Sequence, residues 1–193
     1  MNDADQARGQ RSPEGDVIAV LLQQHARIRE LFSQVKTETG ERKQQSFDQL
    51  RALLAVHETA EEMILRPMSK RTAGREVAEA RNHEEAEANH VLAELERMDV
   101  DSAVFDERFA RFEQAVLDHA DHEEEQEFPA IRAQYDEEQL ARAGRRLLAT
   151  ERVAPTHPHP ATAGSTTAQW AVGPFASLLD RARDALQSDT RRR

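Results

Sequence analysis

An all-α chain is the expectation: an up-down-up-down four-helix bundle with a C-terminal helical extension. Three observations carry it. Charged residues make up 32% of the 193 residues and aromatics only 5%, with 7 Gly and 7 Pro, a composition of long helices rather than sheet. Four successive segments repeat apolar residues at intervals of three and four, the period of an amphipathic helix. The third and fourth are joined by a short segment, and short connections make helices antiparallel neighbours.

Residues 1–15 are polar and read as a flexible tail. The first helix is expected over residues 16–36, with Asp16 as its N-cap and Val17, Ile18, Leu21, Leu22, Ile28, Phe32 and Val35 on one face. The second spans residues 42–66, with Phe47, Leu50, Leu53, Leu54, Ile64 and Leu65. Pro67 is expected to end it, because a residue before proline is disfavoured in helical geometry. The third covers residues 75–98, with Val77, Ala88, Val91, Leu92 and Leu95. The fourth covers residues 102–128, with Phe105, Phe109, Phe112 and Val116, and Pro129 is expected to close it. The bundle thus occupies residues 16–135. Residues 136–152 read as an additional helix, basic and more exposed. Residues 153–173 form a Pro-rich strap, and residues 174–193 a last amphipathic helix with a basic end.

Composition excludes several chemistries. With no Cys there is no disulfide, thiolate zinc site, iron–sulfur cluster or Cys nucleophile, so a metal must sit on His and carboxylates. The 26 Lys+Arg against 36 Asp+Glu give a net charge of -10, the wrong sign for a nucleic-acid footprint. No apolar run reaches the roughly 20 residues of a membrane span, and residues 1–16 carry no apolar signal segment, so a cytoplasmic protein is expected.

The second and fourth helices share a string. His57, Glu61, Glu62 and Pro67 recur as His119, Glu123, Glu124 and Pro129, every position displaced by 62, as in an internal repeat of a helix pair. In each string a His and a Glu are four apart and share a helix face. His57 and Glu61 lie within roughly 40° of the apolar direction of their helix; His119 and Glu123 fall on the apolar side of theirs, and His25 on that of the first. Burying such groups without partners would cost several kcal/mol, order of magnitude, and a metal held by imidazole and carboxylate would supply the partner.

These residues resemble the hemerythrin-like, HHE cation-binding domain family over about residues 16–135. The family pattern is a lone His on helix one, His-x-x-x-Glu on helix two, a lone His on helix three and His-x-x-x-Glu on helix four. His25, His57, Glu61, His119 and Glu123 match it position by position. The resemblance implies a non-haem di-iron centre, two ions bridged by the two Glu carboxylates and an oxo or hydroxo group. Its ligands would be O₂, peroxide or nitric oxide.

Helix three departs from the pattern. His83 and His90 lie more than about 100° from the apolar stripe, whereas Glu84 lies within about 30° and Glu85 within about 70°. The family's His is followed by apolar residues at plus three and plus seven, and Ala88 and Leu92 place that slot at Glu85. A carboxylate is therefore expected to replace the imidazole, with Glu85 ahead of Glu84 and His83 third. His122 points away from the core, and Glu58, Glu62, Glu124, Glu125 and Glu127 read as solvated. His157 and His159 alternate with prolines in the strap, and Trp170 and Phe175 read as docking apolar groups.

Three functions remain open on this reading. One is di-iron chemistry with O₂, peroxide or nitric oxide, as an enzyme a peroxidase- or catalase-like oxidoreductase. A second is a metal- or oxygen-responsive sensor signalling through the C-terminal extension to a protein partner or a second copy. The third is an iron-binding or storage bundle.

Overall fold

In the computed structural model, which describes residues 15–151, the chain forms antiparallel helices, with no strand among the described residues. Helix α1 is Val17–Thr37, started by Asp16, whose side chain accepts from the Ile18 N–H. Helix α2 is Gly40–Ala60, α3 Arg66–Thr72, α4 Arg75–Leu95, α5 Ala103–His122, α6 Phe128–Gln134 and α7 Glu137–Glu151. Ser102 caps α5 by accepting from the Phe105 N–H. Gly74, at φ +100°, turns the chain between α3 and α4, a conformation L side chains rarely adopt.

Pro67 and Pro129 do not end their helices, which corrects the sequence expectation. A π-helical turn, Glu61–Leu65, links α2 to α3, and a second, Glu123–Glu127, links α5 to α6. The Arg66 N–H bonds the Glu61 carbonyl and the Phe128 N–H bonds the Glu123 carbonyl, five residues back rather than four. Proline normally clashes with the carbonyl four residues earlier, and the wider turn relieves that clash. The two prolines thus mark the widened turns. In both halves the π turn begins on the Glu of the His-x-x-x-Glu string.

Two apolar clusters fill the interior. One end holds Ile28, Phe32, Phe47, Leu50, Leu92, Phe105, Phe109 and Phe112, with Phe105 and Phe109 stacked at 5.3 Å. The other holds Val17, Leu21, Ala60, Leu65, Phe128, Ile131, Leu140, Ala143 and Leu147. Between them lies a layer of buried polar side chains. Leu22, expected on the core face, is 38% exposed.

Helix α7 is less exposed than its composition suggests. It buries Leu140, Ala143 and Leu147 on the second cluster and covers that end of the bundle. Gly144 lies against the Gly15 carbonyl and the Val17 nitrogen, where an added Cβ would collide with backbone. Gly144→Ala gains about 1 kcal/mol of helix propensity, but a collision with rigid backbone puts the overpacking cost at the upper end of about 1–3 kcal/mol, so about 2 kcal/mol of net destabilisation is expected. Thermal unfolding with urea titration checks this; a variant as stable as the parent would show α7 packed differently.

The strap, the C-terminal helix, His157, His159, Trp170 and Phe175 lie outside the described residues. Among the described residues, no helix is long and apolar enough to cross a membrane.

Candidate metal centre

The polar layer is assembled from four long helices. α1 supplies His25, α2 supplies His57, and the first π turn supplies Glu61. α4 supplies Glu85, α5 supplies His119, and the second π turn supplies Glu123. Their donor atoms form two overlapping groups. His25, His57, Glu61 and Glu123 make one; Glu61, Glu85, His119 and Glu123 make the other. Within each group the donors lie within 4.8 Å of one another. That is close to twice a metal–ligand bond of about 2.1 Å. Glu61 and Glu123 belong to both groups.

The histidine tautomers follow from their outer partners. His25 Nδ1 is 2.8 Å from Glu124 Oε1, His57 Nδ1 is 2.7 Å from Gln24 Oε1, and His119 Nδ1 is 2.9 Å from Glu84 Oε2. Amide and ionised carboxylate oxygens only accept, so each Nδ1 donates, and in the neutral ring that a metal requires each Nε2 keeps its lone pair. The Nε2 atoms face inward. His25 Nε2 is 3.6 Å from Glu123, His57 Nε2 is 3.2 Å from Glu61, and His119 Nε2 is 3.5 Å from Glu123. His25 Nε2, His119 Nε2, Glu61 Oε1, Glu85 Oε2 and Glu123 Oε2 are buried without a hydrogen-bond donor or acceptor. Buried polar atoms are rarely left so. Five lone-pair atoms converging on one space fit a cation, so the residues present suit the metal that the chemistry implies.

The outer partners are themselves held. Arg29 reaches Glu124 at 3.0 Å and Asp121 at 2.8 Å. Arg81 reaches Glu84 at 2.9 Å. Glu84 therefore braces His119 and stands outside both donor groups. His83 is exposed and pairs with Glu87 at 3.3 Å, and His90 is exposed. His122 lies 3.6 Å from Glu84.

Several residues read as solvated are not. Glu127 is fully buried and Glu62 nearly so. Glu58, half-buried, accepts from Asn89. Glu124 carries the His25 bond, and only Glu125 of that set is exposed. For Glu62, Glu124 and Glu127 the reason lies in the π turns that contain them: an extra residue in the turn shifts the faces, so strict helical arithmetic misplaces them. Glu58 lies before its turn and is covered by Asn89.

The sequence reading also missed Arg66. Its side chain is 1% exposed, with Nη2 bonded to Glu85 and 3.3 Å from Glu123, and Nη1 3.2 Å from Glu127. The available signal was the repeat itself, which sets Arg66 against Phe128 at the same displacement of 62.

Burial pushes the Glu61 carboxyl well above the usual carboxylate range, and Glu123 adds to the rise. Burial and the facing His25 hold His57 well below an ordinary imidazole. Burial would raise Glu123 too, but His119, His25 and Arg66 outweigh it and hold the group well below. Without a cation, then, a proton on the pair sits more readily on Glu61 than on Glu123, and a metal would compete with it.

A cavity of about 60 Å³ adjoins this layer, lined by Ile28, Leu54, Ala88, Leu92, Phe112 and Val116 together with the site residues. It takes a few water-sized molecules and no large substrate.

Comparison with known proteins agrees with this architecture. The chain is 25% identical over 137 residues to an uncharacterised hemerythrin-like protein of Schizosaccharomyces pombe (strain 972 / ATCC 24843), covering 69% of this chain and 68% of the relative. Its fold is similar to that of a hemerythrin HHE cation binding domain-containing protein from Mycobacterium kansasii, with TM-score 0.64 and 20% identity. That likeness covers 84% of this chain and 96% of the other. Residues 16–131 match the family described as the Hemerythrin HHE cation binding domain. The chain is a metal-binding helical bundle and belongs to the hemerythrin HHE cation-binding family.

Proposed function

We propose that the chain holds two iron ions, with Glu61 and Glu123 shared between them, and reacts them with O₂, peroxide or nitric oxide. The observation that supports this reading is the pair of overlapping donor groups with two carboxylates in common. Mixed nitrogen and oxygen ligation suits iron, and a bound iron pair would supply electrons to a small oxidant. His25, His57, Glu61 and Glu123 would hold one ion; Glu61, Glu85, His119 and Glu123 the other.

The chain's own residues do the rest. Gln24, Glu124 and Glu84 fix the imidazole tautomers. Leu54, Ile28, Leu92 and Phe112 confine access to small molecules and keep bulk water away. Glu85 in the place of an imidazole adds negative charge, which favours the oxidised ions and turnover over reversible carriage.

Anaerobic loading with ferrous iron, then metal analysis and a visible spectrum on adding peroxide, tests the reading. Two irons per chain and a new absorption near the ultraviolet are expected. At most one tightly held iron, or a colourless product, would overturn it.

Glu85 and Glu84 separate by role. Glu85→Ala should weaken the second position and bleach the absorption, with Glu84→Ala intermediate, roughly 10–100-fold in affinity as for an outer partner. His83→Ala should do nothing. A larger loss from His83→Ala than from Glu85→Ala would reverse the assignment on α4.

A further inference from the structure

The two halves are built alike, yet they differ at one pair of contacts. In the second half, the residue before the proline is Phe128, and its ring stacks on the lone His25 at 5.7 Å and 17°. In the first half, the matching residue is Arg66, and its guanidinium bonds the lone Glu85. Ring faces imidazole in one half, and guanidinium faces carboxylate in the other. We propose that Arg66 is a built-in counter-ion for the carboxylate-rich metal position, a positioning residue that stands in for the second cation and makes the two positions load in sequence.

The proposal rests on the paired-metal reading and extends it. Arg66 touches Glu85 and Glu123, two of the four donors at the second position, but only Glu123 among the four at the first. It is nearly fully buried, so water screens its charge poorly. Each of those carboxylates gives one oxygen to Arg66 and keeps the other, Glu85 Oε2 and Glu123 Oε2, without a donor. The guanidinium therefore has two effects of opposite sign. It neutralises buried carboxylates when no metal is present, which favours the folded metal-free chain. It also repels an incoming cation and draws charge from its ligands, which weakens the second position. The first position, with two imidazoles, is touched at a single shared donor and fills first.

The test is a titration of the metal-free full chain with manganese(II) chloride, followed by electron paramagnetic resonance, with melting temperature measured in parallel. The parent should bind two ions in two steps at least about tenfold apart, the coupled-pair signal appearing only in the second. Arg66→Gln keeps an N–H donor and drops the charge. It should melt about 10 °C lower without metal, because a buried ion-pair partner is lost. Its second step should nevertheless tighten about tenfold. A merely structural arginine would lose both stability and affinity, so a second step unchanged or weakened in Arg66→Gln overturns the proposal.

Should Arg66→Gln not fold without metal, the double variant Arg66→Phe with Glu85→His copies the other half and decides the matter. It should melt above Glu85→His alone and load both ions within a threefold range. Two widely separated steps in that variant would refute the counter-ion role. A parent that never takes more than one ion removes the paired-metal reading itself, whereas two equally tight ions leave that reading standing and overturn only the role of Arg66.

Discussion

Glu123→Ala is expected to empty both metal positions, whereas Glu125→Ala, two residues further along the same π turn, leaves them full. Glu123 is completely buried and belongs to both donor groups, and Glu125 is exposed. Losing an outer partner of a metal ligand costs about 10–100-fold in affinity, so losing a ligand shared by two ions should cost more than about 100-fold at each. Glu124→Ala supplies the intermediate case, because it removes no ligand and frees the His25 Nδ1 that Glu124 holds at 2.8 Å, together with the Arg29 contact at 3.0 Å. The fold should survive the change, since Arg66 keeps Glu85 and Glu127. Iron per chain, measured beside far-ultraviolet circular dichroism, checks this ordering. Retention of one tightly bound iron by a folded Glu123→Ala protein would show that the carboxylate is not shared.

Much of the bundle was legible because local and tertiary signals agree. On α1, Asp16 caps the helix as expected, and Val17, Ile18, Leu21, Ile28, Phe32 and Val35 are all buried. The two His-x-x-x-Glu strings were legible for the same reason: a spacing of four puts both groups on the face already marked by Leu54 or Val116. The π turns were not. They move a backbone hydrogen bond by one residue without altering side-chain identity, and Pro67 and Pro129 signalled a break where a widening occurs.

Helix α4 shows how periodicity fails at a functional layer. Its apolar stripe was drawn through Ala88, Val91, Leu92 and Leu95, but Ala88 and Val91 are only partly buried. The buried line runs through Ala78, Arg81, Glu85, Asn89 and Leu92, and three of those five residues are polar. An average over apolar residues therefore rotates away from the true inward face. It placed Glu84 nearer the core than Glu85, whereas Glu85 is buried and the Glu84 side chain is 31% exposed. Spacing to Ala88 and Leu92 was the better guide because it uses position along the helix and does not depend on where the apolar residues point on average. Arg66 escaped because its burial follows from the π turn before it, which the sequence does not mark.

Without metal, the protein should lose stability as pH rises from 6.5 to 8, and with metal that loss should shrink. Each group gives its own sign. Glu58, raised from 4.5 to about 8 by burial and by Glu62, keeps its proton in the fold after the unfolded chain has released it. Its contribution is full below 4.5 and is lost as pH climbs to about 8. Glu61, raised well above 4.5 by burial and Glu123, acts in the same direction. His57 acts oppositely. It stays neutral in the fold and protonates in the unfolded chain below 6.5, so it costs stability only on the acid side of that value. Glu123, held well below 4.5, loses its contribution only as pH falls beneath that value. Between 6.5 and 8 Glu58 thus acts unopposed by His57 and Glu123, and Glu61 and Glu127, also raised by burial, act in its direction. A cation at Glu61 would replace the proton there and hold the carboxylate ionised, so metal affinity should rise with pH across this interval. Melting curves at pH 6.5 and 8, with and without manganese(II), test the first half. Calorimetric titration in two buffers of different ionisation enthalpy tests the second, with net proton release expected as the pair fills. A metal-free melting temperature that climbs over this interval would overturn the raised Glu58 carboxyl, and binding that releases no proton would show that Glu61 is already ionised in the fold.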